Sequence, residues 1–246
     1  MSRLQVEALE PLPEVRPGDD LAALLLAAGA SRLGSGDLLV VAHKVVSKAE
    51  GAIADLASVT PSARALELGA EHDKDPRHVQ VVLDQSAELV RAEHGVLICR
   101  THHGFVCANA GVDGSNAGAP GRLVTLPRDP DVSARRLRAA LPGRPAVVIS
   151  DSFGRAWRHG QVDVAIGIAG LGALEDWRGR TDADGRELHA TWIAIADEAA
   201  AAADLVRGKD SRVPAIVVRG LARHITAEDG PGAAALLRPR SEDLFA

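Results

Sequence analysis

Aromatic residues are scarce in this chain: three Phe, three Trp and no Tyr among 246 residues. Proteins that grip single-stranded nucleic acid stack bases on repeated aromatic rings, and so few rings exclude a surface of that kind. Basic excess is missing as well. The net charge is −5 and the pI is near 6.0, so a broad face for phosphate backbones is excluded, while a local basic site stays open. Cysteine is limited to Cys99 and Cys107. Neither has a zinc or redox motif partner, so both read as small buried apolar residues of a reduced, cytoplasmic protein. No apolar run is long enough to span a bilayer, and the N-terminus lacks the basic-then-apolar order of an export signal. What remains is ordinary globular composition, 46% hydrophobic and 25% charged, over a length that supports a sizeable core. No internal repeat or long linker divides it.

Apolar patterning places the elements. Asp19 or Asp20 stands where it can cap a helix over 21–28. Residues 37–42 are a short apolar run bounded by a turn, which predicts a buried strand. That strand ends in the polar, basic segment His43-Lys-Val-Val-Ser-Lys-Ala-Glu-Gly51. Helical spacing marks 61–70 and 76–93, the second through Val79, Val82, Leu83, Leu89 and Val90. Apolar runs over 95–100 and 105–109 predict a hairpin. A loop over 124–130, a helix over 131–141, a buried strand over 146–150, a long helix over 187–205 and a last strand over 215–219 complete the pattern. The mixture predicts an α/β (α+β) fold. Such folds place ligands where buried strands end in polar and Gly residues.

Two carboxylates stand at such ends. Asp113 lies in Asn109-Ala-Gly-Val-Asp-Gly-Ser-Asn116, and Asp151 closes the strand over 146–150 with Ser152 behind it. Hard divalent cations take oxygen ligands, and two carboxylates with a hydroxyl suit one; the same residues also serve as turn formers or helix caps. Arg155, Arg158, His159 and Gln161 follow closely. Cations beside metal-binding carboxylates hold phosphate oxygens in phosphoryl transfer, and a solvated loop is the plainer alternative. Lys44 and Lys48 suit a phosphate or are surface charge. Gly208-Lys209 lacks the upstream glycine of a Walker loop, because position 203 is Ala. Gly167-Ile-Ala-Gly-Leu-Gly172 has its glycines in the wrong order for a dinucleotide fingerprint. No Gly-x-Ser-x-Gly elbow appears, so nucleophilic hydrolysis has no motif behind it. His72, His78 and His94 receive no role.

Several segments together resemble the coenzyme F420-0:γ-glutamyl ligase family. They are Leu12-Pro-Glu-Val15 with Pro17-Gly-Asp-Asp-Leu21, Ala42-His-Lys-Val-Val-Ser-Lys-Ala-Glu-Gly51 and His103-Gly-Phe-Val-Cys-Ala-Asn-Ala-Gly-Val-Asp-Gly-Ser-Asn116. Further along come Asp129-Pro-Asp131, Ile149-Ser-Asp-Ser-Phe-Gly-Arg-Ala-Trp-Arg-His-Gly-Gln-Val-Asp163, Asp197-Glu198 and Gly208-Lys209. The resemblance implies a GTP-dependent ligase. It would join L-glutamate to the lactyl carboxylate of coenzyme F420-0 and add a further γ-linked glutamate to F420-1, through an acyl phosphate.

Residue by residue, the resemblance makes Asp113, Asp151 and Ser152 (where most relatives have Thr) metal ligands. It makes Leu12, Pro13, Glu14, Val15, His43, Lys48, Asn116, Gly208 and Lys209 nucleotide contacts. Arg155, Arg158 and His159 become the catalytic candidates. Mg²⁺ or Mn²⁺, as two ions, and K⁺ are the implied cofactors. The implied architecture is two-lobed and paired into an interlocked homodimer. A single ligase unit over 1–246 is expected, without the C-terminal nitroreductase-like domain of some relatives. With no Tyr, guanine would be held by backbone and aliphatic contacts. Two rivals are a non-catalytic deazaflavin- or nucleotide-binding protein, which has no need of paired metal carboxylates, and a folate-type polyglutamate ligase, which the missing P-loop glycines disfavour.

Overall fold

A computed structural model describes residues 3–208 and 210–243 of the protein. Lys209, one of the expected nucleotide contacts, lies outside the described residues. The chain runs β1 (Gln5–Ala8), α1 (Leu21–Ala27), β2 (Leu38–Ala42), α2 (His43–Ala49), β3 (Ile53–Asp55), α3 (Ala63–His72) and α4 (Pro76–Asp84). It continues through β4 (Ser86–Glu93), β5 (Val96–Thr101), β6 (Val106–Ala108), β7 (Arg122–Val124), α5 (Pro130–Ala140), β8 (Ala146–Arg155) and β9 (Arg158–Ala169). It closes with β10 (Glu175–Asp176), β11 (Trp192–Ile193), α6 (Ile195–Val206) and β12 (Ala215–Arg219). The fold is mixed α/β, as the pattern predicts.

The central sheet has the order β1-β12-β2-β8-β9. Only β2 and β8 pair in parallel within it; the other neighbours are antiparallel. Residues 38–41 and 146–150 are buried throughout, which is why these strands read as unbroken apolar runs rather than as alternation. Helices α5 and α6 pack on β9. Asp20 caps α1 by accepting from the Ala23 amide at 3.0 Å, and Asp129 caps α5 by accepting from Val132 at 2.9 Å with Pro130 at the first turn. A second, smaller hydrophobic cluster gathers Leu68, Val79, Val82, Leu97 and Cys99 under α3, α4 and the sheet β4-β5-β6.

Three elements differ from the pattern. The stretch over 76–93 divides: α4 stops at Asp84 and β4 begins at Ser86. Leu89 pairs with Cys99 and Ala92 with Leu97, whereas Val90 is 49% exposed, so two periods had merged into one apparent helix. The helix expected from residue 187 begins only at Ile195, because Trp192 and Ile193 pair with Asp176 and Glu175. Strand β8 runs on to Arg155, since β9 continues to pair with it beyond the buried part. The hairpin over 95–109 is present, with Cys99 directly opposite Cys107. Both are buried free thiols. Burial pushes both up, Cys107 to about 12, which leaves them unreactive packing residues.

Candidate active site

A cavity of about 400 Å³ opens at the C-terminal ends of the parallel strands β2 and β8. This is the position that open α/β sheets use for ligands. Its walls come from six segments, most of them far apart in sequence: 12–15, the start of α2, the loop at Asn116, 150–152 of β8, Asp163 of β9, and the turn after α6. Of the residues singled out in the sequence, Leu12, Pro13, Glu14, Val15, His43, Lys48, Asn116, Asp151, Ser152 and Gly208 line it. No Phe or Trp ring does so among the described residues.

Helix α2 follows β2 without a loop, so its first residues stand directly over the strand ends. The His43 side chain is 3% exposed and its Nε2 lies 3.1 Å from Asp151 Oδ1, without the geometry of a hydrogen bond. Its Nδ1 is 3.3 Å from Ser47 Oγ. Lys48, one turn on, is buried and donates to Glu14 Oε1 at 2.6 Å. Lys44 lines the cavity too, but its ammonium donates to Asp113 Oδ2 and Ser115 Oγ, each at 2.5 Å. Asp113 therefore stands behind the wall rather than in it. Asn116 completes that loop in the left-handed region at φ 55°, which asparagine tolerates better than most residues.

Below Asp151 lies a network that the motif reading missed. Asp163, 1% exposed, accepts from Ser150 Oγ at 2.8 Å, Ser152 Oγ at 2.6 Å and Arg207 Nη1 at 2.6 Å. A buried carboxylate with three donors is a compensated charge. Ser152 gives its hydroxyl proton to Asp163, so its oxygen meets any further partner as an acceptor. Burial lowers the Arg207 pKa while Asp163 and Asp204 counter it, and the side chain is 10% exposed. The available signal was a lone Asp in the apolar run of β9, placed opposite Ser152 by the hairpin register. Nothing in the sequence marks Arg207. Asp210, in the loop that begins at Gly208, also lines the cavity, as does Arg212, which was not singled out.

The catalytic candidates lie elsewhere. Arg155, Arg158 and His159 occupy the far tip of the β8–β9 hairpin and do not line the cavity. Trp157 at the turn has φ 59° and is 82% exposed, and Arg155 Nη2 donates to the His159 carbonyl at 2.7 Å. Of the motif phenylalanines, Phe153 packs edge-on against Phe105 at 6.3 Å between centroids.

Oxygen donors of the kind a divalent ion takes are present, and of these Asp151 and Ser152 line the cavity. Asp113, Asp151 and Ser152 offer only oxygens, and both carboxylates are reached from consecutive residues of α2. Among the described residues no three His, Cys, Asp or Glu side chains gather as a metal-binding group. A small hard cation held by one or two carboxylates, with water and phosphate completing its shell, is the habit of Mg²⁺.

Known proteins agree with the motif reading. The family model described as F420-0:Gamma-glutamyl ligase matches residues 11–220. The coenzyme F420:L-glutamate ligase of Methanothermobacter thermautotrophicus is 45% identical over 245 residues, which span 96% of each chain. The enzyme of the same name from Methanopyrus kandleri is 45% identical over the whole of both chains. That of Halobacterium salinarum strain R1 is 46% identical over 219 residues, 86% of this chain and 85% of that one. Identity at this level over nearly full length leaves no room for a shared motif on an unrelated scaffold, and the chain belongs to the F420-0:gamma-glutamyl ligase family of enzymes.

Proposed function

We propose that the protein is a GTP-dependent ligase that adds L-glutamate to coenzyme F420-0, and a further γ-linked glutamate to F420-1, through an acyl phosphate. The relatives' names supply the coenzyme and the glutamate. One observation carries the rest: at one strand-end cavity, Lys48, Arg207 and Arg212 converge with the carboxylate of Asp151 and the hydroxyl of Ser152. Phosphoryl transfer asks for fixed cations on the phosphate oxygens and oxygen ligands for a divalent ion.

In this reading the γ-phosphoryl group passes to the acceptor carboxylate, giving GDP and an acyl phosphate. The glutamate amine then attacks the acyl carbon, phosphate leaves, and the amine loses its proton. Mg²⁺ or Mn²⁺ held by Asp113, Asp151 and Ser152 would supply charge neutralisation on the phosphate oxygens. Lys48 and Arg212 would orient the phosphates. Residues Leu12 to Val15 and Asn116 would hold the base by backbone and aliphatic contacts, since no Phe or Trp ring lines the wall among the described residues. Gly208 and Lys209 belong to the same proposal, as does a K⁺ requirement. A two-lobed homodimer in the cytoplasm is also part of it. The hairpin tip lies outside its own cavity, so a second protomer is what would bring Arg155, Arg158 and His159 to a site.

The test combines protein, GTP, Mg²⁺ or Mn²⁺, L-glutamate and F420-0. GDP release matched by a glutamate mass increment on the coenzyme is expected. A well-folded protein that gives neither overturns the proposal.

A further inference from the structure

Lys44 lines the cavity, yet its charge is spent outside it. The ammonium sits 2.5 Å from Asp113 Oδ2, 2.5 Å from Ser115 Oγ and 3.3 Å from the Ser115 carbonyl oxygen. Ser115 closes the cage by donating its amide to Asp113 Oδ1 at 2.7 Å and its hydroxyl to Asp113 Oδ2 at 2.8 Å. An anionic oxygen, a hydroxyl and a carbonyl around one positive charge is a set that a small hard cation accepts as readily as an ammonium does. The neighbouring residue repeats the pattern: His43 Nε2 faces Asp151 at 3.1 Å.

We propose that Lys44 competes with a divalent cation for the oxygens of Asp113 and Ser115, and that the ammonium so displaced turns into the cavity to take a nucleotide phosphate oxygen. This rests on the phosphoryl-transfer reading above. Two cations at one carboxylate repel, so occupation by one weakens the other. The four-carbon stem of lysine gives the ammonium reach, and the side chain already forms part of the cavity wall beside Lys48. The exchange leaves Asp113 neutralised in both states, and neither state strands a half-buried carboxylate without a partner. Lys44 is thus a nucleotide-contacting residue whose availability the divalent ion controls. Linkage makes the coupling reciprocal: each ion bound frees a cation for nucleotide, and each nucleotide bound makes room for the ion by the same factor.

The experiment measures Mn²⁺ affinity in the absence of nucleotide, by titration calorimetry or by electron paramagnetic resonance of free Mn²⁺. Lys44→Met is expected to bind Mn²⁺ about tenfold more tightly than the wild type, and to lose much of the Mn²⁺-dependent gain in GDP affinity. Equal or weaker Mn²⁺ binding by the variant overturns the competition. Absence of Mn²⁺ binding by both proteins overturns the metal reading itself, which distinguishes the two failures. Should Lys44→Met fail to fold, acetic-anhydride labelling of the wild type decides. Labelling of Lys44 is expected to rise severalfold on saturation with Mn²⁺, while Lys48, held by Glu14, serves as reference. Unchanged Lys44 labelling in Mn²⁺-saturated protein overturns the proposal.

Discussion

The β8–β9 hairpin carries charge at both ends of one ladder, and the two ends differ in what fixes it. At the base, Asp163 is buried and accepts from Ser150, Ser152 and Arg207, whose side chain is largely covered and whose Nε and Nη2 find no hydrogen-bond partner among the described residues. At the tip, Arg155, Arg158 and His159 stand in water. Both ends belong to the same long motif. The base is fixed: its hydroxyls and the guanidinium are already held on Asp163, so little there has to rearrange when the cavity fills. The tip is screened and free to move, so within one protomer it contributes little electrostatically. Motif membership therefore does not place a residue in the chemistry; a buried partner does.

The largest effect should come from Asp151 at the mouth of the base. Asp151→Asn keeps shape and removes charge, so turnover should fall by about a hundredfold or more, while the melting temperature stays near that of the wild type. Glutamate incorporation followed by mass spectrometry measures it. Near-wild-type turnover would break the link between the hairpin base and catalysis.

A smaller contrast concerns stability. Asp163→Ala leaves Arg207 buried without its carboxylate, and loss of one member of such a pair costs about 3–5 kcal/mol. Arg158→Ala at the exposed tip should change stability by no more than about 0.5 kcal/mol. Urea unfolding of the two variants side by side checks the comparison, which is lost if the tip variant is as destabilised as the base variant.

What was legible in the sequence follows from locality. Strands β2 and β8 announce themselves as short apolar runs, α1 through its Asp cap and α5 through its amphipathic pattern over 131–141, because caps, periodicity and buried strands are local signals. The start of α5 at Pro130, capped by Asp129, falls in the stretch that the pattern gives to a loop. The break between α4 and β4 was not legible: Leu89 and Val90 fit a helical count until pairing with β5 assigns them to opposite faces. Asp151, Ser152, His43 and Lys48 stood out as polar residues at strand ends, and the fold brings them to one cavity. Asp163 acquires its place only through the register that sets it against Ser152, and Lys44 through a contact with Asp113 sixty-nine positions away. Neither contact has a signature in local spacing.

Asp197 provides the smallest and sharpest test of whether a carboxylate packed against this ladder needs a cation. It sits in the first turn of α6 and accepts the Ala165 amide of β9 at 2.9 Å. Burial raises its pKa, and the backbone hydrogen bond only partly offsets that. A carboxyl whose folded pKa is raised binds its proton more tightly in the folded state. Its contribution to stability is therefore intact below the unfolded pKa, near 3.9, and is lost as pH rises through the folded value. Asn in its place keeps an oxygen for the Ala165 amide and does not ionise. The difference in unfolding free energy between Asp197→Asn and the wild type should thus shift in favour of the variant between pH 4 and pH 7. The shift should stay below about 1 kcal/mol, because the group keeps contact with solvent. Urea unfolding at the two pH values measures it. A difference that stays constant, or moves toward the wild type as pH rises, would show that a carboxylate beside β9 is tolerated without the cation that Asp163 has.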